Sequence, residues 1–331
     1  MSPRIVIDQA GRIFLSLLIL MLPLAASAQA GWPSRPITII VPYAAGSLPD
    51  VFARAVANEL GTRLNNTVIV DNVNGAGGVL GTERVARAKP DGHTFVLGVE
   101  STMLIAQMVR PATVRYDGLK DFTPVALMAS SPLVLVAKPE FAANTLDDLM
   151  ALLRVQPRSY SYGTSGVGTS LHLAGEMFNQ QAKAEIAHVP YSVSTQIMTD
   201  VAGNQLDLAM VPLGSALPFI RSGKVKALGV TAAARSSLLP GVSAMSELPA
   251  LANMNFTVWF GLFAPAGVDK GIATSVHAHL AAIFGTESIR QRIADFGMQP
   301  TVLDQAAFTR FLAGERAKFQ SLISERNIRA E

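Results

Sequence analysis

Apolar positions along the chain fall into two alternating rhythms. Ile37–Val41 is a short run of mostly β-branched residues, the pattern of a strand buried on both faces of a parallel sheet, and Pro42 ends it. After the segment Tyr43–Asp50, Phe52, Val56, Leu60 and Leu64 recur every fourth position, which sets them on one helix face with Asp50 at the N-cap. The alternation continues with strand Val68–Val73, a glycine-rich turn Asn74–Gly78, a helix to Lys89, the turn Pro90–Gly92 and strand Thr94–Val99. This order predicts a βαβαβ unit with right-handed crossovers and a parallel sheet.

A second set starts with strand Leu133–Ala137 and a helix near Leu146–Arg154. Strand Ser159–Tyr162, loop Gly163–Ser170, a helix from Leu171, strand Ile186–Tyr191, a helix from Ser194 and strand Leu206–Val211 follow. Helix Ala216–Ser222 and strand Ala227–Thr231 complete a second α/β domain, and Pro240–Pro249 has no period. Phe256–Ala264 is strand-like again, with helical patterns at Lys270–Phe284, Glu287–Phe296 and Ala306–Ser324 behind it, and either domain can take these elements. No internal repeat is visible, which excludes solenoids and propellers.

The N-terminal residues follow neither rhythm. Arg4 and Arg12 precede an apolar stretch, Ile13–Leu24, too short to span a bilayer, and the small residues Ala25–Ala28 follow, then Gln29-Ala30. This predicts a signal peptide over residues 1–28, with cleavage at Ala28 or Ala30, and a periplasmic location. The chain has no cysteine, so a lipid anchor through cysteine, disulfides, thiol nucleophiles and thiolate metal sites are excluded. The remaining length, about 300 residues, suits two domains of ordinary size with a cleft between them. With 27 basic against 24 acidic residues, dispersed along the chain, a nucleic-acid partner is not expected.

In parallel α/β sheets ligands bind beyond the carboxyl ends of strands, where loops lead into helix N-termini. Four such loops are rich in Gly, Ser and Thr: Tyr43–Asp50, Gly98–Thr102, Ser161–Ser170 and Tyr191–Thr195. Each is also explained by helix capping alone. Taken together they suit a carboxylate held by amides and hydroxyls, and none contains the Lys or Arg expected opposite a highly charged anion.

Other chemistry finds little support. Gly75–Gly81 lacks the dinucleotide spacing and reads as a tight turn, while Gly163–Gly168 has neither the phosphate-loop spacing nor its lysine, so no cofactor is expected. The five histidines show no metal-ligand spacing, and His172 is free to cap, pack or line the cleft. Ser165 has no assignable His and Asp partners, which leaves a secreted hydrolase as an unsupported alternative. Trp259 suits core or ligand stacking.

Several segments in order resemble the Bug-type solute receptors of tripartite tricarboxylate transporters. They are Arg35–Gly46 with Asp50, Asn72–Gly78, Lys89–Gly92, Tyr116–Val125, Tyr162–Gly175, His188–Tyr191 and Trp259–Gly267. The resemblance implies a two-domain Venus-flytrap (type II) fold with parallel-core sheets and two crossing strands, its N-terminal domain completed by the C-terminal helices. The expected boundaries are residues 31–131 plus 258–331 and residues 132–257. It implies a ligand carboxylate held between domains, membrane permease subunits as partners, and a monomer that catalyses nothing; a sensor acting on a membrane kinase is the alternative.

The expected contacts are Tyr43, Ala45, Gly46, Ser47, Ser101 and Thr102 from domain one, with Asp50 orienting the first loop. Ser165, Gly166, Thr169, His172, Ser194 and Thr195 come from domain two. This chain departs from the family pattern at Ser47 and Pro49, at Ser192-Val193 and at Glu100, which stands where the family is neutral and small. A Glu100 carboxylate facing the cleft favours an amino acid or a monocarboxylate with a donor nitrogen; one that caps a backbone N–H does not select.

Overall fold

Apolar β-branched runs become inner strands here wherever both of their faces are covered. The computed structural model describes residues 31–191 and 194–330, so the signal-peptide segment and Ser192-Val193 lie outside the described residues. Residues 31–34 carry no helix or strand, and every element lies within the unit Arg35–Glu331. Strand β1 (Ile37–Val41) runs parallel to both β2 (Val68–Asn72) and β3 (Thr94–Gly98). Helix α1 (Leu48–Leu64) joins β1 to β2, and α2 (Val79–Ala86) precedes β3.

Beyond β3 the sheet turns antiparallel: β9 (Thr257–Pro265) pairs with β3 and with the first part of β4 (Phe122–Ala137). Strand β10 (Gln299–Leu303) pairs with β4 over Leu127–Ser130. Residues Leu133–Ala137 of β4 instead pair with β7 (Leu208–Pro212) and β8 (Lys226–Val230). Strand β5 (Ser161–Thr164) then lies parallel to both β7 and β6 (Ala187–Pro190). Thus β4 belongs to both halves, changing partners at Pro132–Leu133. The chain returns beside it, where the Phe256 N–H bonds the Thr231 carbonyl at 2.9 Å and Thr257 pairs with Pro132. This is the two-domain Venus-flytrap fold, two parallel cores linked through antiparallel strands.

Helices cover the sheet. After β3 a π-turn (Ser101–Ile105) leads into the short α3 (Ala106–Val109). Helices α4 (Leu146–Val155), α5 (Ser170–Ala182), α6 (Ser194–Ala202) and α7 (Leu213–Arg221) serve the second half. Helices α8 (Lys270–Phe284), α9 (Glu287–Asp295) and α10 (Gln305–Glu325) follow β9. Phe52, Val56 and Leu60 of the periodic face of α1 are buried and Leu64 at its end is half-buried: Phe52, with no exposure, lies 5.0 Å from Phe260 and 6.2 Å from Phe284, ring centre to centre. Burial of one such side chain contributes about 1.5–3 kcal/mol. Trp259 is core, edge-on to Phe308 at 5.9 Å.

Three expectations are corrected. Strand β4 begins at Phe122, well before Leu133, because Pro124 and Pro132, which break the sequence pattern, sit where the β4–β9 pairing is irregular or ends. Strand β10 was not expected at all, since it has little apolar alternation and contains Pro300. Helix α7 begins at Leu213 rather than Ala216 and contains Pro218, whose missing N–H falls in its second turn.

Candidate functional site

The loop after β1 is short, and its exposed tip, Ala44-Ala45-Gly46, is held from below by Asp50. Asp50 is 3% exposed: Oδ2 accepts the Gly46 N–H at 2.8 Å, and Oδ1 accepts Asn72 Nδ2 at 3.0 Å and pairs with Arg54 Nη2 at 2.9 Å. Burial opposes ionisation of this carboxyl, but the Arg54, Gly46 and Asn72 bonds outweigh it and hold it below the usual carboxylate range. Ser47 donates its hydroxyl back to the Ala44 carbonyl at 2.6 Å, leaving its oxygen lone pairs available. Asn72 also donates to the Tyr43 carbonyl at 3.1 Å, so one side chain from β2 fixes both ends of the loop.

The loop after β3 meets the first one through Tyr43, whose hydroxyl lies 3.1 Å from Ser101 Oγ. Burial raises the Tyr43 phenol, so it stays protonated. Gly78 makes this packing possible, since a Cβ there would lie 2.6 Å from Thr102 Cγ2 and 3.4 Å from the Tyr43 ring. Thr102 does not reach the loop surface: it has no exposure, and its hydroxyl closes its own turn on Val99. Its expected contact with ligand is therefore corrected to a supporting role.

Glu100 is corrected too. It is 2% exposed, Oε2 accepts the backbone N–H of Trp259 at 3.0 Å, and the Ser170 side chain bonds it as well. Burial raises its carboxyl to about 7; the Trp259 N–H, the loop's own backbone and Ser170 oppose the rise, and Glu315 adds to it. The carboxyl thus joins the β3 loop, the returning strand β9 and the N-terminus of α5 rather than offering a face to a ligand.

In the second half, Thr169 caps α5: Oγ1 accepts the His172 N–H at 3.3 Å and donates to the Gly166 carbonyl at 2.8 Å. The Gly168 N–H donates to His172 Nδ1 at 3.2 Å, so a neutral His172 carries its proton on Nε2. His172 stacks on His188 with ring centres 4.0 Å apart, and His188 Nε2 lies 2.6 Å from Thr164 Oγ1. Burial lowers both imidazoles, His188 to about 4, so each is neutral near pH 7. Ser165 and Gly166, which precede this cap, are both half-buried. Ser194 and Thr195 open α6 just after the undescribed pair.

These loops meet across the two halves: a Cβ on Gly168, whose φ is +74°, would lie 3.0 Å from Val109 and 3.2 Å from Ala330. Two participants carry no sequence signal of their role. Asn72 was visible only as part of a turn, and Arg110, which follows α3, belongs to none of the four loops. A Cβ on Gly77 would lie 3.3 Å from Arg110 Nη1. Among the described residues, no cluster of His, Asp or Glu is placed to hold a metal, and no helix is long and apolar enough to cross a membrane.

Residues 52–328 match the family described as tripartite tricarboxylate transporter family receptor. Protein BugT of Bordetella pertussis (strain Tohama I) is 30% identical over 294 residues, which span 89% of this chain and 90% of that protein. Among solved structures, that of R. palustris Rpa4515 with adipate has a TM-score of 0.80 at 28% identity, covering 90% of this chain and 99% of that one. The structure of the periplasmic binding protein BugD has a TM-score of 0.75 at 28% identity, over 91% and 100%.

Proposed function

The chain belongs to the tripartite tricarboxylate transporter receptor family, and from that premise we propose that it captures a small carboxylate in the periplasm and delivers it to a membrane permease. Residues 1–28 direct export, and two lobes, residues 31–131 plus 258–331 and residues 132–257, close on the ligand. Tyr43, Ala45, Gly46, Ser47 and Ser101 form one wall; Ser165, Gly166, Thr169, Ser194 and Thr195 form the other. The ligand is released unchanged, so no acid–base pair is required.

The observation that carries this reading is that each half presents a loop fixed by its own hydrogen bonds, a tip pinned by Asp50 on one and a hydroxyl-rich loop capped by Thr169 on the other. The Asp50–Gly46 bond and the Thr169 cap fix the backbone so that N–H groups and the Ser165 hydroxyl are organised before a ligand arrives. Adipate in one related structure supports the ligand class. The donor-nitrogen preference drawn from Glu100 is not carried forward, because that carboxyl is committed to Trp259 and Ser170. Calorimetry of the mature protein against small carboxylates tests the reading: one-to-one binding with no turnover is expected, and conversion of a bound ester or amide contradicts it.

A further inference from the structure

The Arg110 guanidinium carries a buried donor that finds no partner among the described residues. Among the described residues no carboxylate lies within 4.0 Å of it, whereas Arg54, Arg84 and Arg87 are each paired with an acid. Its Nε is fully shielded from solvent and makes no hydrogen bond. An unsatisfied buried donor on a charged group is costly, and the cost falls when an anion takes its place opposite.

Its position connects it to the proposed cleft. Nη1 lies 3.3 Å from where a Gly77 Cβ would be, and the next residue, Gly78, packs against the Tyr43 ring. On its other side Val109 touches Gly168 of the second-half loop. Arg110 therefore stands where the Gly75–Gly78 turn of one half approaches the Gly166–Gly168 loop of the other. The four ligand loops supply no cation of their own, and buried His172 and half-buried His188 beside them are neutral near pH 7.

We propose that Arg110 sets the cleft's specificity by taking the second carboxylate of a dianionic ligand whose first carboxylate the loop amides and hydroxyls hold. This rests on the receptor reading above and adds the residue that separates diacids from monoacids. A planar guanidinium with paired donors matches a carboxylate in two bonds, which a lysine ammonium does not reproduce.

Calorimetry with succinate, glutarate and adipate against butyrate, pentanoate and hexanoate, each diacid beside the monoacid of equal length, tests it. The wild type is expected to bind one diacid at least about tenfold tighter than its monoacid. Arg110→Gln brings that ratio to about one with monoacid affinity unchanged, and Arg110→Lys, which keeps the charge should the glutamine variant not fold, retains only part of it. The proposal is overturned if Arg110→Gln binds the diacid as the wild type does, or if both affinities fall together. A wild type that binds monoacids alone also overturns it while leaving the receptor reading intact; one that binds neither series removes both.

Discussion

The Glu100 carboxylate accepts the backbone N–H of Trp259 at 3.0 Å, across 159 positions of sequence. The bond is made in the core, next to a tryptophan with no exposure, so it ties the β3 loop to the strand that returns from the second half. Its chemistry sets the first expectation about pH.

Burial raises the Glu100 carboxyl from 4.5 to about 7. Between these values the folded chain holds a proton that the unfolded chain releases, so the stability linked to this group is complete below 4.5 and is lost as pH rises through 7. Glu100→Gln keeps an acceptor for Trp259 without the charge. Thermal melts are expected to show the variant gaining stability relative to wild type between pH 5 and 8; parallel profiles contradict this.

The His188 imidazole runs the other way. Burial, then the neighbouring His172, lowers it to about 4, so the folded state refuses a proton that the unfolded state accepts below 6.5. Stability from this group is present above 6.5 and lost as pH falls toward 4. The His188 ring protons are expected to titrate near 4 by NMR, and an ordinary midpoint near 6.5 contradicts the stacking on His172.

Asp50→Ala removes the acceptor for the N–H of exposed Gly46 and for half-buried Asn72. A loss of about 1–3 kcal/mol is expected in urea denaturation, with ligand affinity falling at least about tenfold as the loop tip loosens. Unchanged affinity at reduced stability contradicts the role given to that tip.

Gly168→Ala places a Cβ 3.0 Å from Val109 at a φ of +74°. The strained loop is expected to stand off α3, which small-angle scattering reads as a larger radius for the ligand-bound protein than the wild type shows. Identical radii contradict the contact between the halves.

Much of this was legible from the chain. The runs Ile37–Val41 and Thr94–Val99, and the four-residue spacing from Phe52, carry their fold because burial on both faces leaves a simple apolar pattern. Asp50 was expected at the N-cap of α1, but Ser47 holds that position and Asp50, the third residue of the helix, reaches back to the Gly46 N–H. What was not legible depends on contacts distant in sequence. The first part of β4 and all of β10 are held by strand pairing despite their prolines. The direction of the Glu100 side chain is decided by Trp259, and Arg110 meets Gly77 only once β2 and the segment after β3 have packed.

In the proposed function two loops on opposite halves hold a small carboxylate without altering it. Native mass spectrometry of the protein purified from the periplasm, followed by release and identification of whatever is bound, tests this most directly. The account predicts one small carboxylic acid per chain, recovered with its mass unchanged after prolonged incubation. Protein that neither carries a carboxylate nor takes one up when offered a panel, or that returns a cleaved product, contradicts it.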